Sequence, residues 1–271
     1  MTGDDHATPR PGDFTGEWHP TMLRRMVTLG RPLYKLWFRS EVRGLDRMPS
    51  GGALIVSNHS GGTNPPDVPI LWLDFFEKFG YDRPLYTLGH DILFRGPAAK
   101  MLVRMGTIRA NRENAVKALR SGAAVIVFPG GDDDALRPTS QQSKIDFFGR
   151  TGYVSTAIEA GVPIVPAVSI GGQETQLFLT RGKGLAKRLG IKRLLRSEQV
   201  PVSFGFPLGL SVGAMNLPLP AKIVTQVLEP IDITARFGKS PDIAEVDAHV
   251  RKVMQSALND LAAQRRFPII G

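Results

Sequence analysis

The chain contains no cysteine. That excludes a disulfide framework, a thiolate zinc site and a cysteine nucleophile, and it suits a reducing compartment. Long apolar runs are missing too, since no stretch approaches the ~18 residues needed to span a bilayer. The opening MTGDDHATPRPGDFTGEWHP is polar, acidic and rich in Pro and Gly, without the basic start and apolar run of a signal peptide. A serine hydrolase lacks its expected nucleophile setting, and neither a phosphate loop ending in Gly-Lys-Ser/Thr nor a Gly-x-Gly-x-x-Gly after the first apolar run is present. His and the carboxylates fall at no recognisable ligand spacing, so no metal is expected.

What is present is basic charge and enough apolar residues for a core. The 271 residues are 42% apolar, and 34 Lys+Arg against 25 Asp+Glu give a formal charge of +9. That excess favours an anionic partner: lipid, nucleic acid or a phosphorylated substrate. Residues 1–17 read as a flexible tail. Residues 18–43, WHPTMLRRMVTLGRPLYKLWFRSEVR, mix Trp, Leu, Met, Phe and Tyr with six Lys/Arg and suit a membrane-docking helical segment, divided near Pro32. A second docking candidate is 181–196, RGKGLAKRLGIKRLLR, with seven Lys/Arg, no acid and interleaved Leu and Ile.

From 44 to 271 short apolar runs alternate with helix-like segments. ALIVS (53–57), LYTLG (85–89), AVIVF (124–128), PIVPAVSI (163–170), PVSFGF (201–206) and KIVTQVLE (222–229) are predicted strands. Helices are expected near 66–79, 92–104, 111–121 and 151–160. Such alternation predicts an α/β domain, a mainly parallel sheet flanked by helices, with the basic helical segment N-terminal to it. A final helix is expected from an N-cap at Ser240, with Ile243, Val246, Val250, Val253, Ala257 and Leu261 as its apolar stripe.

Three stretches carry candidate chemistry. In IVSNHSGGTNPPDVPIL (55–71), a strand opens into Asn58-His59, then a loop with Gly61 and Gly62, then Asp67. A carboxylate can hold an imidazole in one tautomer, and a neutral His so held accepts a proton from an alcohol. In VIVFPGGDDDALRP (125–138), a strand runs into Gly130-Gly131, a turn whose bare backbone can face a ligand, with Arg137 able to grip a phosphate. In MGTIRANRENAVKALRSG (105–122), Arg109 and Arg112 lie where a helix begins and are candidates to meet an anionic head group. His90-Asp91 is read as polar structure, with Asp91 as a cap.

Taken in order, Asn58-His59, Gly106-Thr107-Ile108 with Arg109 or Arg112, Val127-Phe128-Pro129-Gly130-Gly131 and GVPIVPAV (161–168) resemble the four blocks of the glycerolipid acyltransferase superfamily, the PlsC-type enzymes, over roughly residues 50–170. There are two departures. The family's Asp stands five positions beyond the His, where this chain has Asn64, and the carboxylate comes at Asp67. The family's Phe-Pro-Glu-Gly is Phe-Pro-Gly-Gly here, which looks like the diacylglycerol acyltransferase branch, with Asp134 in the place of its downstream acid.

The resemblance implies an acyl-CoA or acyl carrier protein donor as cosubstrate, with no bound cofactor, and a glycerol-phosphate-type acceptor, with diacylglycerol or another neutral alcohol as the rival. His59 is then the general base, Asp67 or Asn64 its orienting partner, and backbone N–H groups at Gly61, Gly62, Gly130 and Gly131 candidates for the oxyanion. Arg109, Arg112, Asp134, Arg137, Lys144 and Arg150 are the substrate-binding candidates. Lipid substrates place the expected location at the cytoplasmic face of a membrane, peripherally bound to an anionic surface. A nucleic-acid partner is not expected, since no recognition motif is present and a His-Gly-Gly loop would go unused.

Overall fold

The computed structural model describes residues 10–62, 65–182, 199–213 and 216–265, together with Gly184, Lys187 and Phe267. Its centre is a seven-stranded sheet of β1 (Glu41–Arg43), β2 (Ala53–Ser57), β3 (Leu85–Gly89), β4 (Thr107–Arg109), β5 (Ala124–Val127), β6 (Ile164–Ile170) and β10 (Val224–Val227), in the order β1-β10-β6-β2-β5-β3-β4. Five strands, β6-β2-β5-β3-β4, run parallel; β10 pairs antiparallel with β6 and carries β1 parallel to itself.

The continuous apolar run of β2 follows from burial on both faces. Leu54 and Val56 join one core with Val125, Val154, Val250, Met254 and Leu258. Ala53 and Ile55 face the opposite core, built on Leu23, Leu71, Trp72, Phe75 and Phe76. The first core is covered by α4 (Arg112–Arg120), α6 (Gly152–Ala160) and α8 (Ile243–Gln264), the second by α1 (Pro20–Pro32) and α2 (Asp67–Phe79). Between them lie short helices α3 (Ala99–Arg104), α5 (Gly131–Ala135) and α7 (Ile233–Phe237). None of the helices among the described residues is long and apolar enough to cross a membrane.

Several elements differ from expectation. Residues 10–17 are not a loose tail: Phe14 packs edge-on against Tyr86, its N–H donates to Asn114, and Asp13 lies 3.7 Å from Arg109. α1 passes Pro32 without a break and widens into a π-helical turn, Leu33–Trp37. The cap of α8 is Asp242, not Ser240, and its buried stripe is Val246, Val250, Met254, Leu258 and Leu261, one residue round from the expected Val253 and Ala257. The 201–206 run belongs to a separate antiparallel sheet of β7 (Leu177–Thr180), β8 (Val202–Gly205) and β9 (Gly209–Val212). β9 and the residue after it form the string Gly209-Leu210-Ser211-Val212-Gly213, which matches Gly-x-Ser-x-Gly in letters only. A nucleophile elbow needs a strand-to-helix turn; here Ser211 lies within a strand, buried and bonded to Ser203 and Asn216. The basic segment 181–196 falls outside the described residues apart from Arg181, Gly182, Gly184 and Lys187.

Candidate active site

β2 and β5 are parallel neighbours in register, Val56 opposite Val127, so the loops that follow them leave the same edge of the sheet side by side. Ligands of open α/β sheets bind at that carboxyl edge. One loop brings Asn58-His59, the other Phe128-Pro129-Gly130-Gly131. Asn58 acts as a fastener: its side-chain amide donates to the Ser169 carbonyl and accepts from the Ser169 N–H, both at 2.8 Å, clamping the loop to β6.

His59 Nδ1 lies 3.1 Å from Asp67 Oδ2, which also accepts the Ser60 N–H at 2.7 Å. Asp67 sits in the first turn of α2, fully buried, where the positive end of the helix favours a carboxylate. The imidazole stacks on Phe128, with centroids 4.2 Å apart. These contacts fix the ring and leave Nε2 with no hydrogen-bond partner among the described residues. Burial pulls the imidazole pKa down, but the charge and hydrogen bond of Asp67, with Asp134 and Asp132 beyond it, outweigh burial and raise it above the ordinary value. Asn64 lies outside the described residues.

Of the four loop glycines, two have committed N–H groups: Gly62 donates to the Ala135 carbonyl and Gly131 to Phe128. Gly61 and Gly130 keep theirs unbonded among the described residues. At Gly61 φ is +98° and a Cβ would come within 2.3 Å of Pro66, so the loop requires glycine there.

The substrate-binding candidates scatter. Arg137 is 1% exposed, and its Nε and an Nη donate to Asp134 Oδ1 at 3.0 and 2.8 Å. It is therefore an internal ion-pair partner, a correction to its expected role on a phosphate. Asp134 serves the same interior: its other oxygen accepts the His59 backbone N–H at 2.7 Å. Burial pushes this carboxyl up, and Arg137 and the His59 amide pull it back. Arg150 donates to the carbonyls of Pro129 and Gly130 and to Asp133, so it shapes the glycine turn. Arg109 pairs with Asp91 at 2.7 Å and donates to the Pro11 carbonyl. Arg112 and Lys144 lie on the surface, 3.8 Å from Glu159 and 3.3 Å from Asp146. The cap beside Asp91 is His90, whose ring accepts the Ile92 N–H.

Gln173 was not legible as part of this site. Its amide donates to the carbonyls of His59 and Asp134, both at 3.3 Å, from 114 residues beyond His59 in the chain. Among the described residues no group of His, Cys, Asp and Glu is placed to hold a metal ion.

Residues 39–170, which span both loops, match the family model described as Acyltransferase. An uncharacterized protein of Mycobacterium leprae is 34% identical over 247 residues, 89% of this chain and 65% of its own length. An uncharacterized protein of Mycobacterium tuberculosis is 33% identical over 264 residues, 95% of this chain and 70% of its own length. A mouse protein named DGAT1/2-independent enzyme synthesizing storage lipids is 31% identical over 218 residues, 80% of this chain and 62% of its own length. The chain thus spans roughly two thirds of the length of these curated relatives. Among solved structures, the 1-acyl-sn-glycerophosphate acyltransferase PlsC of Thermotoga maritima superposes with a TM-score of 0.56 over 89% of this chain and 81% of its own, at 17% identity, which bears on the fold. A His–Asp pair at the carboxyl edge of a mostly parallel sheet, inside a matched segment that carries both loops, leads to one family: the chain belongs to the Acyltransferase family.

Proposed function

We propose that the chain moves a fatty acyl group from an acyl thioester, acyl-CoA or acyl carrier protein, to the hydroxyl of a glycerol-based lipid. The observation that carries this reading is His59, held at Nδ1 by Asp67 with Nε2 unbonded beside a glycine-lined turn. Nε2 takes the proton of the acceptor hydroxyl as its oxygen attacks the thioester carbonyl. The Gly61 and Gly130 N–H groups are the candidates to receive the oxyanion that forms. Collapse expels the thiolate, and His59 returns the proton to sulfur. No covalent enzyme intermediate is needed.

For the acceptor, the side chains favour a neutral alcohol of the diacylglycerol kind. Arg137, Arg150 and Arg109 are each bound to a protein carboxylate, and Arg112 and Lys144 face solvent. Three of these five candidates are thus engaged by carboxylates of the protein itself, and the two exposed ones stand in surface ion pairs. The storage-lipid name of the mouse relative supports the same choice. The test is a panel of acceptors offered with labelled palmitoyl-CoA: diacylglycerol, a long-chain alcohol, lysophosphatidic acid and glycerol 3-phosphate. Ester formation on the neutral acceptors is expected to exceed that on the phosphorylated ones by tenfold or more, about 1.4 kcal/mol. Preference for lysophosphatidic acid would return the acceptor to the glycerol-phosphate type.

The pH dependence follows from His59. A general base works when neutral, so kcat/KM is expected to rise with pH through a value above the ~6.5 of an ordinary imidazole. Asp67→Asn removes the strongest influence raising that value. The rising limb should therefore move to lower pH while the plateau falls. A limb that stays in place in Asp67→Asn would mean that some other group titrates.

A further inference from the structure

The small sheet is built inside out. Strands normally turn polar residues to water and apolar ones to the core. In β8 and β9 the pair Ser203/Ser211 faces inward, buried, with hydroxyls 3.1 Å apart, while the neighbouring cross-strand pair Phe204/Leu210 faces out. Phe206 is 67% exposed and Leu210 64%, with Leu208, Val212 and Leu217 exposed around them. Residues 199–221 contain no charged side chain, in a chain that is 22% charged overall. Contiguous exposed apolar surface of this kind marks an interaction site.

The patch is joined to a second one. Trp37 Nε1 donates to the Pro218 carbonyl at 3.0 Å and Arg39 to Pro220 at 2.8 Å, which brings the N-terminal helix alongside the sheet. That helix and its π-helical turn expose Leu29, Leu33, Leu36 and Trp37, at spacings of one helical face. The sequence on either side of this apolar surface is basic, although Arg31, Lys35 and Arg43 are each paired with an acid. Residues 18–43 hold six Lys/Arg against the single acid Glu41, and the connection from β7 to β8 adds seven more in 181–196 with no acid. The inner face of the sheet reaches the catalytic loop: Phe178 of β7 packs where a Cβ on Gly62 would be 2.6 Å from its ring.

We propose that the outward face of the β7-β8-β9 sheet inserts into an anionic lipid leaflet and seats the catalytic loop at the membrane surface. Exposed apolar side chains in a chain of net charge +9, with basic sequence before and within the sheet, match the acyl and head-group layers of such a leaflet. A second copy of this +9 chain would bring like charges together at the same face. The proposal rests on the lipid-acceptor reading for its purpose, but its test does not depend on catalysis.

The test is co-sedimentation of the full chain with vesicles of equimolar phosphatidylcholine and phosphatidylglycerol, comparing wild type with the double variant Phe206→Asp/Leu210→Asp. Partitioning of the variant is expected to fall by about tenfold or more, with an unchanged thermal unfolding midpoint, because both residues are exposed. In Leu208→Trp, the introduced indole should be quenched by lipids brominated on their acyl chains. Wild-type partitioning in the double variant together with an unquenched indole would overturn the proposal. So would a wild-type dimer that the double variant splits while neither binds vesicles, since the face would then join two copies. Vesicle binding that depends on Phe206 and Leu210, with no acyl transfer to any acceptor, would leave the docking surface standing and remove the proposed function.

Discussion

In His59→Ala, acyl transfer is expected to fall by about 10²–10⁴-fold, the usual worth of a positioned general base, or roughly 3–5.5 kcal/mol of barrier. The effect should appear in kcat, because Nε2 acts on the proton only as the hydroxyl attacks. The fold should survive. Asp67 keeps the N–H of Ser60 and that of Val68 at 2.7 and 2.8 Å, so its buried carboxylate retains partners. The ring of Phe128 loses one stacked neighbour. Steady-state transfer with a thermal melt beside it checks both halves. A variant that unfolds near room temperature would show instead that His59 holds the loop together.

Asp134→Ala is expected to be the more damaging change for stability, at about 3–5 kcal/mol, because it strands a buried guanidinium. Asp134 Oδ1 accepts twice from Arg137, and Asp134 and Arg137 are 2% and 1% exposed. The same substitution removes the acceptor of the His59 N–H. These two jobs separate in the double variant Asp134→Ala/Arg137→Met. Removing both charges should restore most of the stability, since an apolar replacement of a buried pair is often neutral. Activity should not return with it, because the His59 amide still lacks its anchor. Equilibrium urea unfolding of the three proteins reads the first effect and acyl transfer reads the second. A loss below about 1 kcal/mol in Asp134→Ala would mean that Arg137 finds water or another carboxylate.

The His59–Asp67 loop was legible as a unit because its signals are local. β2, β5 and β6 are buried on both faces, so each reads as an unbroken apolar run, and His59, Gly61, Gly62 and Asp67 follow one of them within ten residues. The longer His-to-Asp spacing is absorbed by the loop through Pro65 and Pro66, and α2 begins at Asp67 itself. Arg137 was misread because an exposed Arg on a phosphate and a buried Arg on an acid three positions earlier are the same letters. Only the packing of α5 against the loop tells them apart. α8 slipped by one residue because Val253-Met254 and Ala257-Leu258 are both apolar pairs, and either stripe satisfies a 3.6-residue period. The small sheet resisted for the opposite reason: its apolar alternation is genuine, but it points outward, and direction depends on where Ser203 and Ser211 find their partners. Gln173 was invisible because nothing near it in the chain shares its function.

The most direct test of the central claim is a product balance with a labelled acyl thioester, run on wild type and His59→Ala, with and without a lipid alcohol. If His59 activates an acceptor hydroxyl, wild type forms labelled ester in step with free thiol when the alcohol is present. It should then release little thiol without the alcohol, and His59→Ala should lose the ester. Labelled free fatty acid released at the same rate with or without the alcohol, or ester formation untouched in His59→Ala, would contradict the account.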